Sequence, residues 1–129
     1  MGKFLTELDY SPSRDAFQNW NGRDYRLNNP LFYEADDGTI YNVPKGFITD
    51  GASIPRIFWR IYLPYGLYIE AAVLHDYLYR TETVNVTRKQ SDDLMEEAMI
   101  WCKVNIVDRK TIHIMVRTFG WSAFKKRKI

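Results

Sequence analysis

The chain is poor in the features that define several protein classes. It has a single cysteine, Cys102, so an internal disulfide is impossible and nothing points to an oxidising compartment. Cys102 lies among apolar positions of a predicted helix and is expected to pack in the core. No apolar run approaches the roughly 20 residues of a membrane-spanning helix, and the N-terminus lacks the apolar segment of a secretory signal peptide. These absences lead us to expect a soluble protein of the cytosol.

The chain also lacks a large excess of positive or negative charge. Eighteen lysines and arginines face 16 aspartates and glutamates, so we do not expect nucleic acid to be the main partner. The 46% hydrophobic residues can build a core, and 129 residues predict one domain. Within it we expect mainly strands and turns over 1–50, mainly helices over 51–124 and a basic, solvated tail over 125–129.

The first half of the chain has the pattern of strands and turns. Asp36-Asp37-Gly38 separates the aromatic and β-branched runs 31–35 and 39–43, which predicts a β-hairpin. The other assignments here are a strand at Phe4–Asp9, a polar, turn-rich stretch at Ser11–Gly22, a turn at Pro44–Gly46 and a strand at Phe47–Thr49.

The second half has helical periodicity. The assignments are a short helix at Ser53–Ile61, a break at Pro64–Gly66, a helix at Leu67–Arg80, a helix from a Thr87/Gln90 capping box to about Val104, and a last helix from near Asp108. Strands first and helices later predict an α+β fold, with N-terminal β-hairpins or a small antiparallel sheet followed by a three- to four-helix bundle.

Polar residues interrupt the apolar helix Leu67–Arg80. His75 and Tyr79 share one face at i and i+4, whereas Asp76 points about 100° away from His75. The imidazole could therefore act as a general base, while Asp76 holds a cation or a structural donor. The alternative is that His75 is a satisfied core histidine and that Asp76 pairs with Arg80 or with a loop amide.

A partner for His75 is predicted on the next helix. Asp92 shares a face with Met95 and Met99, which have core character, whereas Asp93 lies on a more polar face. An inward Asp92 could accept a hydrogen bond from His75, as in a base oriented by a third group. The other histidine, His113, stands alone on the polar side of the last helix and is interpreted as structural.

A second polar cluster precedes the helices. Asp50, Ser53 and Arg56 are candidate ligand or loop contacts, and the alternative is a helix cap, a turn and a surface arginine.

Several motifs, in order, carry a resemblance that covers nearly the whole chain. They are Gly46–Arg56, Ala71–Tyr79, Arg88 with Asp92, Ala98-Met99, Val116-Arg117 and Phe119-Gly120. In these the chain resembles the domain-of-unknown-function family numbered 1353, which occurs in tailed phages, prophages and bacteria. The resemblance implies a phage origin, with a location in the cytoplasm of the bacterial host or in the phage particle, and implies no particular reaction.

A local resemblance adds a possible chemistry. His75-Asp76-x-x-Tyr79 is similar to the H-D-x-x-Y helix of the phospholipase A2 superfamily, particularly its disulfide-free version in parvovirus capsid proteins. It implies a phospholipase A2-like helix pair with His75 as the base that activates water, Asp92 as the supporting carboxylate bonded by Tyr79, Asp76 as a Ca²⁺ ligand, and a lipid partner. The chain lacks the glycine-rich calcium loop of those enzymes, and Asp50 is the residue that could replace it.

Three functions are thus open. The chain is a His/Asp hydrolase acting on an ester, a non-catalytic phage virion or accessory interaction protein, or a binder of small anionic ligands or nucleotides that counters host defence. In the last case Arg56, Arg88, Arg117 and exposed aromatic residues would bind the ligand. A catalytic His75 is expected to meet a carboxylate through Nδ1 and to face an open cleft through Nε2.

Overall fold

The described part of the chain has strands first and helices after them. The computed structural model describes residues 2–49, 69–81 and 83–119, without the side chains of 21–23 and 119. In these ranges the elements are β1 Lys3–Phe4, β2 Tyr10–Arg14, β3 Trp20–Leu27, β4 Leu31–Glu34, β5 Ile40–Val43, β6 Ile48–Thr49, α1 Ile69–Arg80, α2 Arg88–Trp101 and α3 Ile106–Phe119. The α+β prediction is confirmed. The elements predicted at Ser53–Ile61 and Pro64–Gly66 and the basic tail lie outside the described residues.

The strands form two small antiparallel sheets, with orders β1-β4-β5 and β2-β3-β6. The predicted hairpin is β4–β5, in which Leu31 pairs with Val43. Its turn needs Gly38, whose φ of 89° is strained for other residues, and Asp37 Oδ1 accepts the Thr39 N–H at 2.9 Å. The turn and the alternating pattern therefore set this register together.

The turn-rich interpretation of Ser11–Gly22 was wrong, because β2 and β3 form a second hairpin there. Its turn uses no glycine. Gln18 adopts a φ of 67°, and the Asp15 carboxylate accepts the turn N–H groups instead. Pro12 is compatible with β2 because this strand lies at the edge of its sheet.

Several predicted boundaries also need correction. The first strand covers only Lys3–Phe4 rather than Phe4–Asp9. The capping box of Thr87 and Gln90 is confirmed, but α2 ends at Trp101, and Lys103 follows with a φ of 64°. Helix α3 begins two residues earlier than predicted, because the Asn105 side chain accepts the Asp108 N–H at 2.8 Å and caps its first turn.

The core lies between the inner sheet faces and the helices. Its largest fully buried side chains include Leu27, Leu31, Tyr33, Val43, Leu74, Leu78, Met95, Met99, Ile112 and Val116. Cys102 is partly buried and packs against this core. Glu97 fastens sheet to helix, since it accepts the Tyr33 hydroxyl and the Asp36 N–H. Within the described residues, no helix is long and apolar enough to cross a membrane.

Candidate active site

Three helices converge on one buried carboxylate. Asp92, in the second turn of α2, is fully buried. Its Oδ1 lies 2.7 Å from His75 Nε2 and accepts the Tyr79 hydroxyl at 2.5 Å, both from α1. Its Oδ2 accepts Arg117 Nη1 of α3 at 2.8 Å, and Arg88 Nη1 lies 3.8 Å away. The cluster of His75, Tyr79, Arg88, Asp92 and Arg117, called the Asp92 cluster below, therefore joins α1, α2 and α3.

The local sequence explains how α1 presents its two donors. His75 and Tyr79 are four residues apart, so they stand on one helical face with ring centroids 4.1 Å apart. Ala71 and Ala72, both fully buried, keep this side of the helix narrow enough for close packing. Contacts between α1 and α2 are extensive, and they bring Asp92 within reach of both rings.

The protonation states follow from burial and hydrogen bonding. Desolvation lowers the pKa of His75 and outweighs its bond to Asp92, so the ring is neutral near pH 7. Burial alone would raise the pKa of Asp92, but the bonds from His75, Tyr79 and Arg117 hold it below its ordinary value. Burial also raises the pKa of Tyr79, which stays a donor. Because the ionised Asp92 only accepts, His75 Nε2 carries the proton and Nδ1 carries a lone pair.

The orientation of His75 differs from the expected one. The ring meets its carboxylate through Nε2, not Nδ1, and the residue is 0% exposed rather than open to a cleft. Nδ1 is buried and has no hydrogen-bond partner among the described residues. A buried polar atom without a partner costs about 1–3 kcal/mol, so this atom is the unusual feature of the site.

The two arginines are committed to the network rather than to an open anion site. Arg88 donates to the carbonyl oxygens of Val116 and Arg117, each at 3.1 Å, and so holds the end of α3. The Arg117 guanidinium is bonded to Asp92, and the Arg117 side chain is 34% exposed. The sequence predicted both as possible ligand contacts, but it did not predict that both approach Asp92. Arg88 is four residues from Asp92, so a helical pattern can indicate their contact. Arg117 is 25 residues away, and no local pattern in the sequence indicates its contact with Asp92.

Asp76 faces a different set of groups. It accepts the Thr49 hydroxyl of β6 at 2.7 Å and pairs with Arg80, whose Nε lies 3.2 Å from its Oδ1. Arg80 also donates to the Ile48 carbonyl and lies over the Phe47 ring at 4.7 Å. This pairing with Arg80 is the structural alternative that the sequence left open, and it ties α1 to the second sheet.

The described residues do not fit the Ca²⁺ site implied by the resemblance. Both oxygens of Asp76 are engaged, and an adjacent guanidinium repels a cation. Ca²⁺ requires about six to eight oxygen ligands, and within the described residues no group of three or more His, Cys, Asp or Glu side chains is placed to hold a metal. The candidate contacts Asp50, Ser53 and Arg56 lie outside the described residues.

A second His–Asp pair lies beside the first. His113 Nε2 of α3 is 2.9 Å from Asp93 Oδ1, and Lys89 Nζ is 2.7 Å from the same carboxylate. The Asp93 side chain is 46% exposed, in contrast to the fully buried Asp92 one residue earlier. His113 was expected to stand alone, so this pair was missed; it provides a matched control for the buried one.

The comparisons with known proteins identify the family. The model described as "Protein of unknown function (DUF1353)" matches residues 25–116, and the chain therefore belongs to this family, as its motifs predicted. A relative, "Uncharacterized protein y4jT" of Sinorhizobium fredii (strain NBRC 101917 / NGR234), is 38% identical over 61 residues. These residues are 46% of this chain and 18% of that protein, so the match covers a small part of the relative. No solved structure matches the chain.

Proposed function

We propose that the protein is a His/Asp hydrolase in which His75 activates water for attack on an ester. The observation that carries this proposal is the Nδ1 lone pair of a neutral His75, which has no partner among the described residues while Nε2 is held by Asp92. A base fixed in one tautomer by a carboxylate, which is itself fixed by a tyrosine and an arginine, is the arrangement that general-base catalysis needs.

Each member of the Asp92 cluster has a role in this chemistry. Nδ1 of His75 takes a proton from water as the water oxygen bonds to the ester carbonyl carbon. Asp92 stabilises the resulting imidazolium, and the Tyr79 and Arg117 donors keep the carboxylate aimed at Nε2. The imidazolium then returns the proton to the departing alkoxide, which leaves an acid and an alcohol. Asp76 takes no part, because Arg80 and Thr49 occupy it.

The complete burial of His75 makes local opening a part of this proposal. Water reaches Nδ1 only when the packing over the ring opens, and such openings are common at enzyme sites. A lipid ester as substrate, a phage origin and a location in the bacterial cytoplasm or a phage particle stay predictions from the resemblances.

The test uses the two histidines as a matched pair. Hydrolysis of p-nitrophenyl esters and phospholipid vesicles is measured with Ca²⁺ and with EDTA, for wild type, His75→Gln and His113→Gln. The proposal predicts activity in both buffers, a loss of about 10²–10⁴-fold in His75→Gln and wild-type rates in His113→Gln. Circular dichroism confirms that each variant is folded. Equal rates in folded wild type and His75→Gln, or no hydrolysis by wild type, contradict the proposal.

The tautomer of His75 can be measured directly. Imidazole ¹⁵N spectra at pH 7.5 should show a protonated Nε2 and an unprotonated Nδ1 for His75, with His113→Gln used to assign the signals. A proton on Nδ1 would place the lone pair against Asp92 and would remove the base from the proposed mechanism.

A non-catalytic role is the second candidate, and the zero exposure of His75 and Asp92 favours it. On this view the Asp92 cluster fastens three helices of an interaction protein. It predicts that His75→Gln lowers thermal stability while no ester or lipid is hydrolysed by any variant.

A further inference from the structure

We propose that the solvent-facing side of α3 docks onto a lipid surface that carries negative charge. This side, called the α3 outer face below, is formed by Ile106, Val107, Lys110 and Ile114. It is a different face of the helix from the one that reaches the Asp92 cluster. The proposal therefore does not rest on the proposed hydrolysis, and either can fail without the other.

Helix α3 is apolar on both sides. Ile112 and Val116 are fully buried and belong to the side that packs on the core. On the other side Ile106, Val107 and Ile114 are 61%, 70% and 63% exposed. A surface helix of a globular protein normally places polar residues on its solvent side. Three large aliphatic side chains exposed within nine positions of one helix therefore indicate a contact surface.

Helical spacing brings these side chains together. Val107 and Ile114 are seven residues apart, so two turns place them on one stripe, about 10 Å apart along the axis. Ile106 lies at the edge of this stripe. Lys110 lies between them with its side chain 56% exposed, its Nζ 2.7 Å from Glu96 and its alkyl chain available to extend the apolar surface. An apolar stripe beside lysines is the composition of a helix that lies in a membrane interface.

The distribution of charge along the chain indicates the sign of the surface. Residues 103–129 contain eight lysines and arginines and one acidic residue, Asp108, whereas residues 1–102 contain ten basic and 15 acidic residues. Half of those eight form the run Lys125–Lys128. The part of the chain that contains α3 is therefore basic, although the rest is acidic. Basic residues beside an anionic bilayer strengthen binding to it.

The fold balances some of this positive charge. Three cations of α3 pair with carboxylates of α2, namely Arg117 with Asp92, and Arg109 and Lys110 with Glu96. Lys103, in the turn before α3, is exposed. The chain from Phe119, the last residue of α3, to Lys125 spans at most about 22 Å even when fully extended. The basic run is therefore within reach of a surface that the α3 outer face contacts.

The combination of apolar and basic groups decides between the possible occupants. In a symmetric dimer through this face, the basic groups of the two copies would come together and repel each other. A nucleic acid would use the cations but would leave Val107 and Ile114 exposed to water. An anionic bilayer uses both, because its headgroups attract the cations and its acyl boundary accepts the aliphatic side chains.

The experiment is cosedimentation with vesicles of ether-linked phospholipids, which contain no ester to hydrolyse. We expect binding to phosphatidylcholine mixed with an equal part of phosphatidylglycerol to be about tenfold or more tighter than to phosphatidylcholine alone. The double variant Val107→Gln, Ile114→Gln should bind the mixed vesicles about tenfold more weakly than wild type. Ile40→Gln is the matched control, because Ile40 is an aliphatic residue of β5 that is 56% exposed, and it should bind as wild type does. Circular dichroism confirms that each variant is folded.

Four results would overturn the proposal. The first is no binding of folded wild type to the mixed vesicles, and the second is equal binding to neutral and mixed vesicles. The third is equal binding by wild type and the folded Val107→Gln, Ile114→Gln variant. The fourth is a wild-type dimer in analytical ultracentrifugation that the double variant converts to a monomer, which would assign the α3 outer face to a second copy of the chain.

Discussion

Replacing Asp92 by alanine should destabilise the protein far more than replacing its neighbour Asp93. Asp92 is fully buried and receives hydrogen bonds from His75, Tyr79 and Arg117. Alanine removes the acceptor and leaves these donors directed at an apolar methyl group. His75 is also fully buried, so water does not reach its Nε2 to replace the lost bond.

The magnitude follows from the groups left behind. Each buried donor that loses its partner costs about 1–3 kcal/mol, and two such donors, on His75 and Tyr79, remain. Arg117 is 34% exposed and recovers part of its loss in water. The sum agrees with the 3–5 kcal/mol typical of breaking a buried charge pair. At roughly 3–5 °C per kcal/mol for a domain of this size, Tm should fall by about 10–20 °C.

The assay is urea unfolding, followed by circular dichroism, with Asp93→Ala as the control. Asp93 is 46% exposed, and its contacts with Lys89 and His113 are surface ion pairs worth about 0–1 kcal/mol. Both variants lose one carboxylate at adjacent positions of α2, so the change in net charge is matched. Equal midpoints for Asp92→Ala and Asp93→Ala would refute the assignment of Asp92 as the centre of the network.

Three further predictions concern pH, packing and the second sheet. Burial lowers the pKa of His75, so the unfolded chain binds a proton below about pH 6.5 that the folded chain excludes. Stability should therefore fall on acidification below that pH, by up to about 1.4 kcal/mol per pH unit, and Tm measured from pH 7.5 to 5.5 should fall less in His75→Gln; equal slopes would contradict this. Gly2→Ala should lower the free energy of unfolding by the cost of overpacking, about 1–3 kcal/mol, and Tm with it, because a Cβ would overlap the Tyr33 hydroxyl; an unchanged Tm would contradict this close packing of the N-terminus. Arg80→Met should cost about 1–3 kcal/mol in urea unfolding, because the buried Asp76 loses its cation, whereas Lys89→Met should be neutral.

Local signals predicted the parts of the site that lie on single helices. His75 and Tyr79 share a face because a helix turns about 100° per residue, and this period holds in any helical context. Asp92 was placed inward because Met95 and Met99 follow it on the same face, and all three are fully buried. Which nitrogen of His75 meets Asp92 depends on the ring rotamer and the helix packing, and the sequence does not encode either locally.

The missed features depend on side-chain geometry or on distant contacts. The β2–β3 hairpin was not predicted because its turn has no glycine, which is the usual sequence signal of a tight turn. Gln18 adopts the positive φ instead, and the Asp15 carboxylate accepts the turn N–H groups. The bond from Arg117 to Asp92 spans 25 residues and exists only after α2 and α3 pack. For Asp76, the sequence left Arg80, the Asp50–Arg56 loop and a metal as alternatives. The contact with Arg80 is local to α1, whereas the contact with Thr49 exists only after α1 packs against β6.

The two His–Asp pairs of α2 show why the motif alone does not define a catalytic site. Asp92 and Asp93 are adjacent and each bonds a histidine Nε2, at 2.7 and 2.9 Å. They differ in burial and in their further partners, which are Tyr79 and Arg117 for Asp92 and Lys89 for Asp93. Burial keeps His75 neutral, and its Nδ1 has no partner among the described residues. The same burial supplies the stability that a purely structural joint would need. Catalysis by His75 therefore requires that water reach Nδ1. The paired histidine variants test this by their activity, and the ¹⁵N spectra test whether Nδ1 is unprotonated.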